Sequence, residues 1–189
     1  MMREYFNGFG KLSEANMDFL LSHCEVKTLK KGDKLIHAHQ KVDSIYFFER
    51  GYLHYFTYND LGERVTLKVV SPNYCWTVLE SFFHQMQTLN ECQALTDVRY
   101  CEMTRADFMA IKEKNQELSN FIQTITEQIL SSKVVEANNI SKMSVEERYV
   151  DLVQNYPEMV QEVPVGIIAS YIGTSRETLH RIRRKLTAA

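Results

Sequence analysis

The stretch that decides the fold is PVGIIASYIGTSRETLHRIRRKL, which covers residues 164–186. Its apolar residues at 167–169 are predicted to form the inner side of one short helix. A second helix follows, with an apolar stripe at spacings of three and four formed by Leu179, Ile182 and Leu186. Gly173 lies between them, where a sharp turn needs the positive φ that glycine adopts at low cost. Thr174 and Glu177 are spaced as a capping box for the second helix. The stretch is therefore predicted to be a helix-turn-helix.

The side of the second helix that faces away from this stripe is polar and basic. Residues 174–189 hold five Lys and Arg residues against one Glu, although the whole chain has a formal net charge of -2. Arg176 can pair with guanine, and Glu177 can accept a hydrogen bond from cytosine. Short hydroxyls such as those of Ser175 and Thr178 can contact phosphate. The pattern favours DNA binding, and the alternative is an ordinary surface helix with solvated charges.

Composition sets limits on the function. Hydrophobic residues make up 44% of the 189 residues and charged residues 24%, which allows a packed core and excludes a mainly disordered chain. The small net charge excludes a uniformly basic protein that coats nucleic acid. The four cysteines show no CxxC spacing and no zinc-type cluster with histidine, so no metal site is predicted and free thiols in a reducing cytoplasm are expected. We see no signal peptide and no membrane-length apolar run, so no membrane partner is expected.

Residues 25–103 are rich in β-branched and aromatic residues between turn signals, which predicts a series of short strands. The strand-like segments are 45–48, 53–56, 65–70 and 98–101. Short strands at a spacing of roughly ten residues are typical of a jelly roll or barrel. The predicted fold class is α+β: an N-terminal β-roll or jelly roll (a double-stranded β-helix), a long dimerisation helix and a C-terminal helical helix-turn-helix domain. The predicted domain ranges are 1–110, 111–140 and 141–189.

A long amphipathic helix is predicted within residues 105–140, after a helix start at Thr104 and Asp107. Its apolar stripe consists of Leu118, Phe121, Ile122, Ile125 and Ile129. We expect this stripe to pair with a second copy of the chain in a parallel homodimer, and the alternative is that it packs onto the β-roll. A two-fold dimer would place two recognition helices one DNA turn apart, roughly 34 Å, on a palindromic site. Ser144 and Glu147 form a capping box that opens the next helix.

Two parts of the chain resemble a known family, the Crp/Fnr transcription regulators. Residues 168–181 resemble the recognition helix of that family, with Ile-Ala-x-Tyr-Ile-Gly followed by Ser175-Arg176-Glu177-Thr178-x-x-Arg181. Residues 35–51 resemble its β-roll of cyclic-nucleotide-binding type, through Leu35-Ile36-His37-Ala38, Ile45-Tyr46-Phe47 and Gly51. The 105–140 segment lies where the dimerisation helix of the family would be.

The resemblance implies a homodimeric transcription regulator that reads palindromic promoter DNA, with RNA polymerase as a further partner. It implies that Arg176, Glu177 and Arg181 read bases or grip phosphate, while Ser175 and Thr178 make supporting contacts. Many relatives carry a β-hairpin wing after this helix. The sequence ends at Ala189 without one, so further phosphate contacts are expected from Arg183, Arg184 and Lys185.

Nucleotide-binding members of the family carry a phosphate cassette with a Gly-Glu step and, some ten residues later, an Arg followed by Ser or Thr. Thr77-Val78 and Thr88-Leu89 stand at these positions, and no Arg lies between Arg64 and Arg99. A buried cyclic phosphate would lack a guanidinium partner, so no response to cyclic AMP is expected. The candidate effector pocket consists of Thr77, Val78, Leu79, Glu80, Thr88 and Leu89, with Glu80 either a shifted ribose partner or a cap or surface residue.

No other cofactor of the family is predicted. Iron–sulfur sensing needs several closely spaced cysteines near the N-terminus, and only Cys24 is there. Haem ligation has four loose candidates, which are better explained as structural residues: His23, His37, His54 and Cys75. An unidentified small-molecule effector stays open as a partner.

Two other functions stay open beside this regulator. The first is a constitutive DNA-binding protein whose β-roll is a relic without ligand, filled by Trp76, Leu79 and Phe82. The second is a cupin-like metal enzyme, because His37 and His39 on one strand would point to the same side and reach one metal ion. No third ligand is placed for such a site, and no catalytic triad or phosphate loop stands out, so an enzyme is not expected.

Overall fold

Eight short strands form between Glu25 and Thr104, as the β-branched and aromatic segments predict. The computed structural model describes residues 2–187, apart from the side chain of Ile140. The strands are β1 (Glu25–Leu29), β2 (Lys34–Ile36), β3 (Ser44–Arg50), β4 (Leu53–Tyr58), β5 (Arg64–Val70), β6 (Tyr74–Trp76), β7 (Glu91–Ala94) and β8 (Val98–Thr104). The helices are α1 (Met2–Asn7), α2 (Glu14–Ser22), α3 (Leu79–His84), α4 (Arg105–Lys114), α5 (Gln116–Lys142), α6 (Val145–Asn155), α7 (Pro157–Glu162), α8 (Val165–Tyr171) and α9 (Arg176–Thr187).

The strands form two antiparallel sheets that face each other. Their orders are β1-β8-β3-β6 and β2-β7-β4-β5, so the chain passes from one sheet to the other at every strand connection except that between β4 and β5, and it rolls up. Gly51 turns the chain from β3 into β4 with a φ of +87°, and a Cβ there would lie 2.3 Å from the carbonyl oxygen of Asp97. Only glycine fits this turn without a shift of the backbone. The predicted β-roll and the helical C-terminal region are confirmed.

The inner core, the apolar cluster between the two sheets, is filled by large side chains. It contains Ile36, Val42, Tyr46, Phe48, Leu53, Tyr55, Val70, Trp76, Val78, Cys92, Ala94, Val98 and Tyr100. Trp76 is 1% exposed and its ring centroid lies 4.9 Å from that of Tyr55. Close packing of this kind leaves the inside of the roll occupied by the chain itself.

The outer core lies between the sheet β1-β8-β3-β6 and the helices α1, α2, α4 and α5. Phe47 and Phe6 are both fully buried there, with ring centroids 4.9 Å apart. Phe82 of α3 also belongs to this outer core and contacts Phe108, so it does not fill the inside of the roll. Two cysteines, Cys75 and Cys101, lie in the outer core, whereas Cys92 lies in the inner core.

The apolar stripe of α5 packs on the chain's own core, which corrects the predicted dimer seam. Its members are at most 5% exposed and all belong to the outer core: Leu118, Phe121, Ile122, Ile125 and Ile129. The physical reason is that the sheet and α1 offer an apolar surface to this side of the helix. A partner molecule therefore cannot contact these side chains, and the alternative, packing onto the β-roll, is the one observed.

The helical segment after residue 104 is interrupted once. Thr104 caps α4 by accepting a hydrogen bond from the amide of Asp107 at 3.1 Å. Asn115 then separates α4 from α5, and its side chain accepts from the amide of Leu118 at 3.0 Å. Asparagine at this position satisfies an amide at the start of α5. The predicted boundary at residue 110 falls inside α4.

The C-terminal helices α6–α9 form a third core against the outside of β4 and β5. The capping box at the start of α6 is confirmed, with Glu147 N donating to Ser144 Oγ and Ser144 N donating to the Glu147 carboxylate at 2.7 Å. Tyr52 and Val69 of the roll belong to this third core. The amide of Thr66 in β5 also donates to the hydroxyl of Ser170 in α8 at 2.9 Å. Among residues 2–187, no helix is long and apolar enough to cross a membrane.

Candidate functional site

Helix α9 begins with a side-chain cap one residue later than predicted. The hydroxyl of Ser175, not that of Thr174, accepts from the amide of Thr178 at 3.2 Å. Glu177 lies in the first turn, where its own backbone amide and the Ser175 hydroxyl hold the pKa of its carboxyl below the usual range. A carboxylate is favourable at this end of a helix. The first turn of α9 is therefore preformed and carries a charged carboxylate.

One side of α9 is anchored and the other is exposed. Leu179 and Ile182 are buried in the third core, whereas Leu186, the last member of the predicted stripe, is 40% exposed. The outward side carries the exposed residues Ser175, Arg176, Glu177, His180, Arg181 and Arg184, with Thr178 half-buried. Arg176 Nε donates to His180 Nε2 at 3.4 Å, so these two side chains extend side by side along the helix. The structure thus brings most of the predicted DNA-contacting residues to one surface.

Two of the predicted phosphate contacts are directed toward the protein instead. The guanidinium of Arg183 lies over the ring of Tyr149 at 5.5 Å, and its Nε is buried without a hydrogen-bond partner among residues 2–187. Lys185 Nζ pairs with the carboxylate of Glu146 at 2.8 Å. Of the three predicted phosphate contacts at the end of α9, Arg184 is therefore the one that is exposed and not directed toward another side chain.

The turn between α8 and α9 is closed by a side chain from α6. Gly173 has a φ of +76°, as the sequence predicts for this turn. A Cβ at Gly173 would lie 3.4 Å from Nη1 of Arg148. The guanidinium of Arg148 thus packs directly on the backbone of the turn that precedes α9.

Three of the six predicted effector residues are buried. Thr77 is 1% exposed and its hydroxyl donates to the carbonyl of Ser44 at 2.8 Å. Thr88 is 6% exposed; its amide donates to the carbonyl of Gln40, and its carbonyl accepts from the amide of His39. Val78 is buried in the inner core. Thr77 and Thr88 therefore connect the end of β6 and the approach to β7 to residues 39–44 by hydrogen bonds.

The other predicted effector residues are more accessible. Leu79 is half-buried, while Glu80 and Leu89 are exposed. Lys133 of α5 is half-buried near Glu80, and burial lowers the pKa of its ammonium while Glu80 opposes that shift. Sequence reasoning missed Lys133, because a lysine in the middle of a long helix carries no signal of what it faces.

Residues 26–115 match the sequence profile of the family described as Cyclic nucleotide-binding domain. This range covers the roll and α4. Residues 26–115 are therefore similar in sequence to a cyclic nucleotide-binding domain. A search of curated protein sequences gives no match.

Solved structures resemble nearly the whole chain, including the helices after residue 115. The catabolite activator protein of Thermus thermophilus is 18% identical with a TM-score of 0.58, over 95% of this chain and 86% of that one. The c-di-GMP responsive global regulator CLP of Xanthomonas campestris is 16% identical with a TM-score of 0.67, over 93% and 92%. A structure from Eubacterium rectale, described as a regulator of the Crp/Fnr family, is 16% identical with a TM-score of 0.67, over 98% and 88%. At these identities the likeness shows the fold.

The histidines considered as metal or haem ligands contact other parts of the chain or lie in a turn. His37 and His39 follow β2 in a turn, with His39 at a φ of +65°, so they are not alternate residues of one strand as the cupin alternative requires. His54 is buried, its Nε2 lies 2.9 Å from Thr66 Oγ1, and burial together with Arg64 lowers its pKa to about 4. His23 Nδ1 contacts the carbonyl of Phe19, and Cys75 is buried. Within residues 2–187, no group of three potential metal ligands comes together.

Proposed function

We propose that the protein is a homodimeric, sequence-specific DNA-binding transcription regulator of the Crp/Fnr type. The observation that carries the proposal is the first turn of α9, which is capped by Ser175 and presents Arg176, Glu177 and Arg181 to solvent. The buried Leu179 holds the opposite side of the helix in place. A helix anchored in this way, with its N-terminal residues outward, is what insertion into a major groove requires.

The proposed dimer uses a second stripe of α5, on the side away from the roll. Leu130 and Val134 are 48% and 60% exposed, and Ala137 and Ser141 continue the same side at steps of three and four. This spacing fits a seam between two parallel helices. A two-fold axis along α5 would present two copies of α9 to successive turns of DNA, roughly 34 Å apart. The cytoplasm is the expected location for such a protein, and RNA polymerase its expected further partner.

Selection from a pool of random DNA duplexes tests this function. We expect the full chain to enrich a two-fold symmetric sequence whose half-sites are separated by about ten base pairs. Binding should weaken steeply as the salt concentration rises, because phosphate contacts release counterions. Recovery of no common sequence by folded protein would overturn the proposal.

Replacing Arg176 by alanine should weaken binding to the selected site by about 1–3 kcal/mol and relax the preference at one base position. The reason is that an exposed arginine in the first turn can pair with guanine. Binding would be measured by fluorescence anisotropy on the selected site and on each single-base variant. Arg50→Ala, which removes an exposed arginine of the roll, is the matched control and should bind as wild type. An equal loss on every sequence would instead make Arg176 a phosphate contact.

Cyclic AMP is expected not to bind. No Lys or Arg occurs between Lys68 and Arg99, and Thr77 and Thr88 use their hydrogen bonds within the chain. Isothermal titration calorimetry with about 1 mM cyclic AMP should give no binding heat, and the Tm should not change. Saturable binding that is lost in Lys133→Ala would contradict this expectation and assign the phosphate to Lys133.

A second candidate function is a DNA-binding protein that acts without an effector in its roll. The specific observation in its favour is the inner core, where Trp76 and its aromatic neighbours occupy the space between the sheets. A DNA affinity that no small molecule changes would favour this version. The DNA-binding experiments above apply equally to both versions.

A further inference from the structure

A cavity of about 440 Å³ lies where the roll, α5 and the C-terminal helices meet. Its walls come from β5, Ser71 and β6 on one side, from α5 on a second, and from α6, α7 and α8 on a third. Small-molecule sites in proteins span about 300–1,000 Å³. None of the predicted effector residues lines this junction cavity, so it is separate from the candidate effector pocket of the roll.

Two hydrogen-bond donors in the wall of the junction cavity have no partner within residues 2–187. The guanidinium of Arg148 makes no hydrogen bond or ion pair to a described residue, and its Nε is buried. The hydroxyl of Tyr171 likewise makes no hydrogen bond to a described residue. Burial, with Tyr156, Tyr74 and Asp151 nearby, raises the pKa of Tyr171 to about 12, so this hydroxyl keeps its proton. Unpaired donors of this kind favour an acceptor that carries negative charge.

The other charged side chains of the wall favour a ligand that carries a single negative charge. Lys68 is 4% exposed and pairs with Glu136 of α5. Burial and the ammonium of Lys133 lower the pKa of Lys68. Asp151 adds a second carboxylate to the wall. A doubly charged phosphate would meet two carboxylates here, whereas one carboxylate can pair with Arg148.

The rest of the wall suits an apolar or aromatic body. Three tyrosine rings and several aliphatic side chains line it: Tyr74, Tyr156, Tyr171, Leu67, Val69, Val135, Leu152, Met159 and Ile172. A site with an apolar lining and a few convergent polar groups is the usual form of a small-molecule pocket.

We propose that the junction cavity binds a small organic monocarboxylate with an aromatic or apolar body, whose carboxylate pairs with the Arg148 guanidinium and the Tyr171 hydroxyl. Arg148 also packs on the turn at Gly173, so the same side chain contacts the cavity and the start of the exposed helix α9. A bound carboxylate would fix Arg148 and with it this turn. That regulatory consequence rests on the proposed DNA-binding function, but the binding of the carboxylate does not.

The test uses two probes with the same ring system and opposite charge. Naphthalene-1-acetate is the anion and 1-naphthylmethylamine is the cation, and each is titrated into the full chain without DNA by isothermal titration calorimetry. Four variants accompany wild type. Arg148→Gln removes the charge, Arg148→Lys keeps it, Asn139→Phe narrows the cavity from the α5 side, and Arg50→Gln changes an arginine outside the cavity.

We expect the anion to bind once per chain and at least tenfold more tightly than the cation. Arg148→Gln should weaken the anion by about 10- to 100-fold, as the loss of a charge-assisted hydrogen bond does. Arg148→Lys should retain part of the affinity, Asn139→Phe should lose it, and Arg50→Gln should equal wild type. The proposal is overturned if both probes bind equally, if folded Arg148→Gln binds the anion as wild type does, or if folded wild type binds neither. Because no DNA is present, failure here leaves the DNA-binding proposal to its own test.

Discussion

Replacing Leu130 and Val134 together by glutamate should convert a dimer to a monomer and weaken operator binding by about 10²- to 10⁴-fold. Both side chains are about half exposed on the outer side of α5, so four carboxylates would meet across the proposed seam. Losing the second subunit removes the gain from binding two half-sites at once. Light scattering at micromolar concentration and anisotropy on the selected DNA would measure the two effects.

A matched control places the same charges on exposed apolar residues elsewhere. Val26→Glu with Leu61→Glu adds two carboxylates to the roll, at side chains that are 49% and 83% exposed. This variant should remain dimeric and bind DNA as wild type does. A Leu130/Val134 variant that stays dimeric would show that the dimer does not use this stripe, and a monomeric wild type would contradict the proposed dimer itself.

Phe47→Ala should lower the free energy of unfolding by about 3–5 kcal/mol. Phe47 is fully buried in the outer core and contacts the rings of Tyr5, Phe6 and Phe9, so its removal leaves a cavity between the sheet and α1. Urea unfolding followed by circular dichroism would measure the change in midpoint at constant slope.

The control for this prediction is an aromatic residue at the surface. Tyr58→Ala truncates a ring that is 46% exposed at the end of β4 and should cost under about 1 kcal/mol. Equal effects of the two substitutions would mean that the outer core does not hold α1 to the sheet in solution.

Local patterns predict the local structure of this chain well. The turn at Gly173, the cap at Thr104 and the capping box at Ser144 all occur where the sequence indicates them. Each depends on residues close in sequence, whose preferences for a turn or a cap are strong. The cap of α9 moved from Thr174 to Ser175, because two adjacent hydroxyl residues satisfy the same pattern.

What the sequence could not predict is which surface each pattern faces. The stripe from Leu118 to Ile129 has the spacing of a helix that is buried on one side. This spacing is the same whether the helix packs against its own chain or against a partner. The short exposed stripe at Leu130 and Val134 begins beside the end of the buried one, and period alone does not separate them. His37 and His39 raised the same difficulty, because their shared direction depends on a strand that ends at Ile36.

The junction cavity was equally hidden from the sequence. Its polar residues come from β5, α5, α6 and α8. Two of them, Lys68 and Tyr171, are more than a hundred positions apart in the sequence. The signal that the sequence offers for a polar group in this wall is Lys68, a lysine among the β-branched residues of β5. That signal becomes meaningful only when folding places Glu136 beside Lys68.

The buried cysteines are natural probes of local opening in this fold. Cys92 lies in the inner core, while Cys75 and Cys101 lie in the outer core, and burial raises the pKa of both Cys92 and Cys75. A thiol that is buried and protonated reacts with alkylating reagents only after the structure around it has opened. The alkylation rate of each buried cysteine therefore reports how often the core around it opens. Such labelling measures the opening of the roll without any change to the helix that carries Arg176.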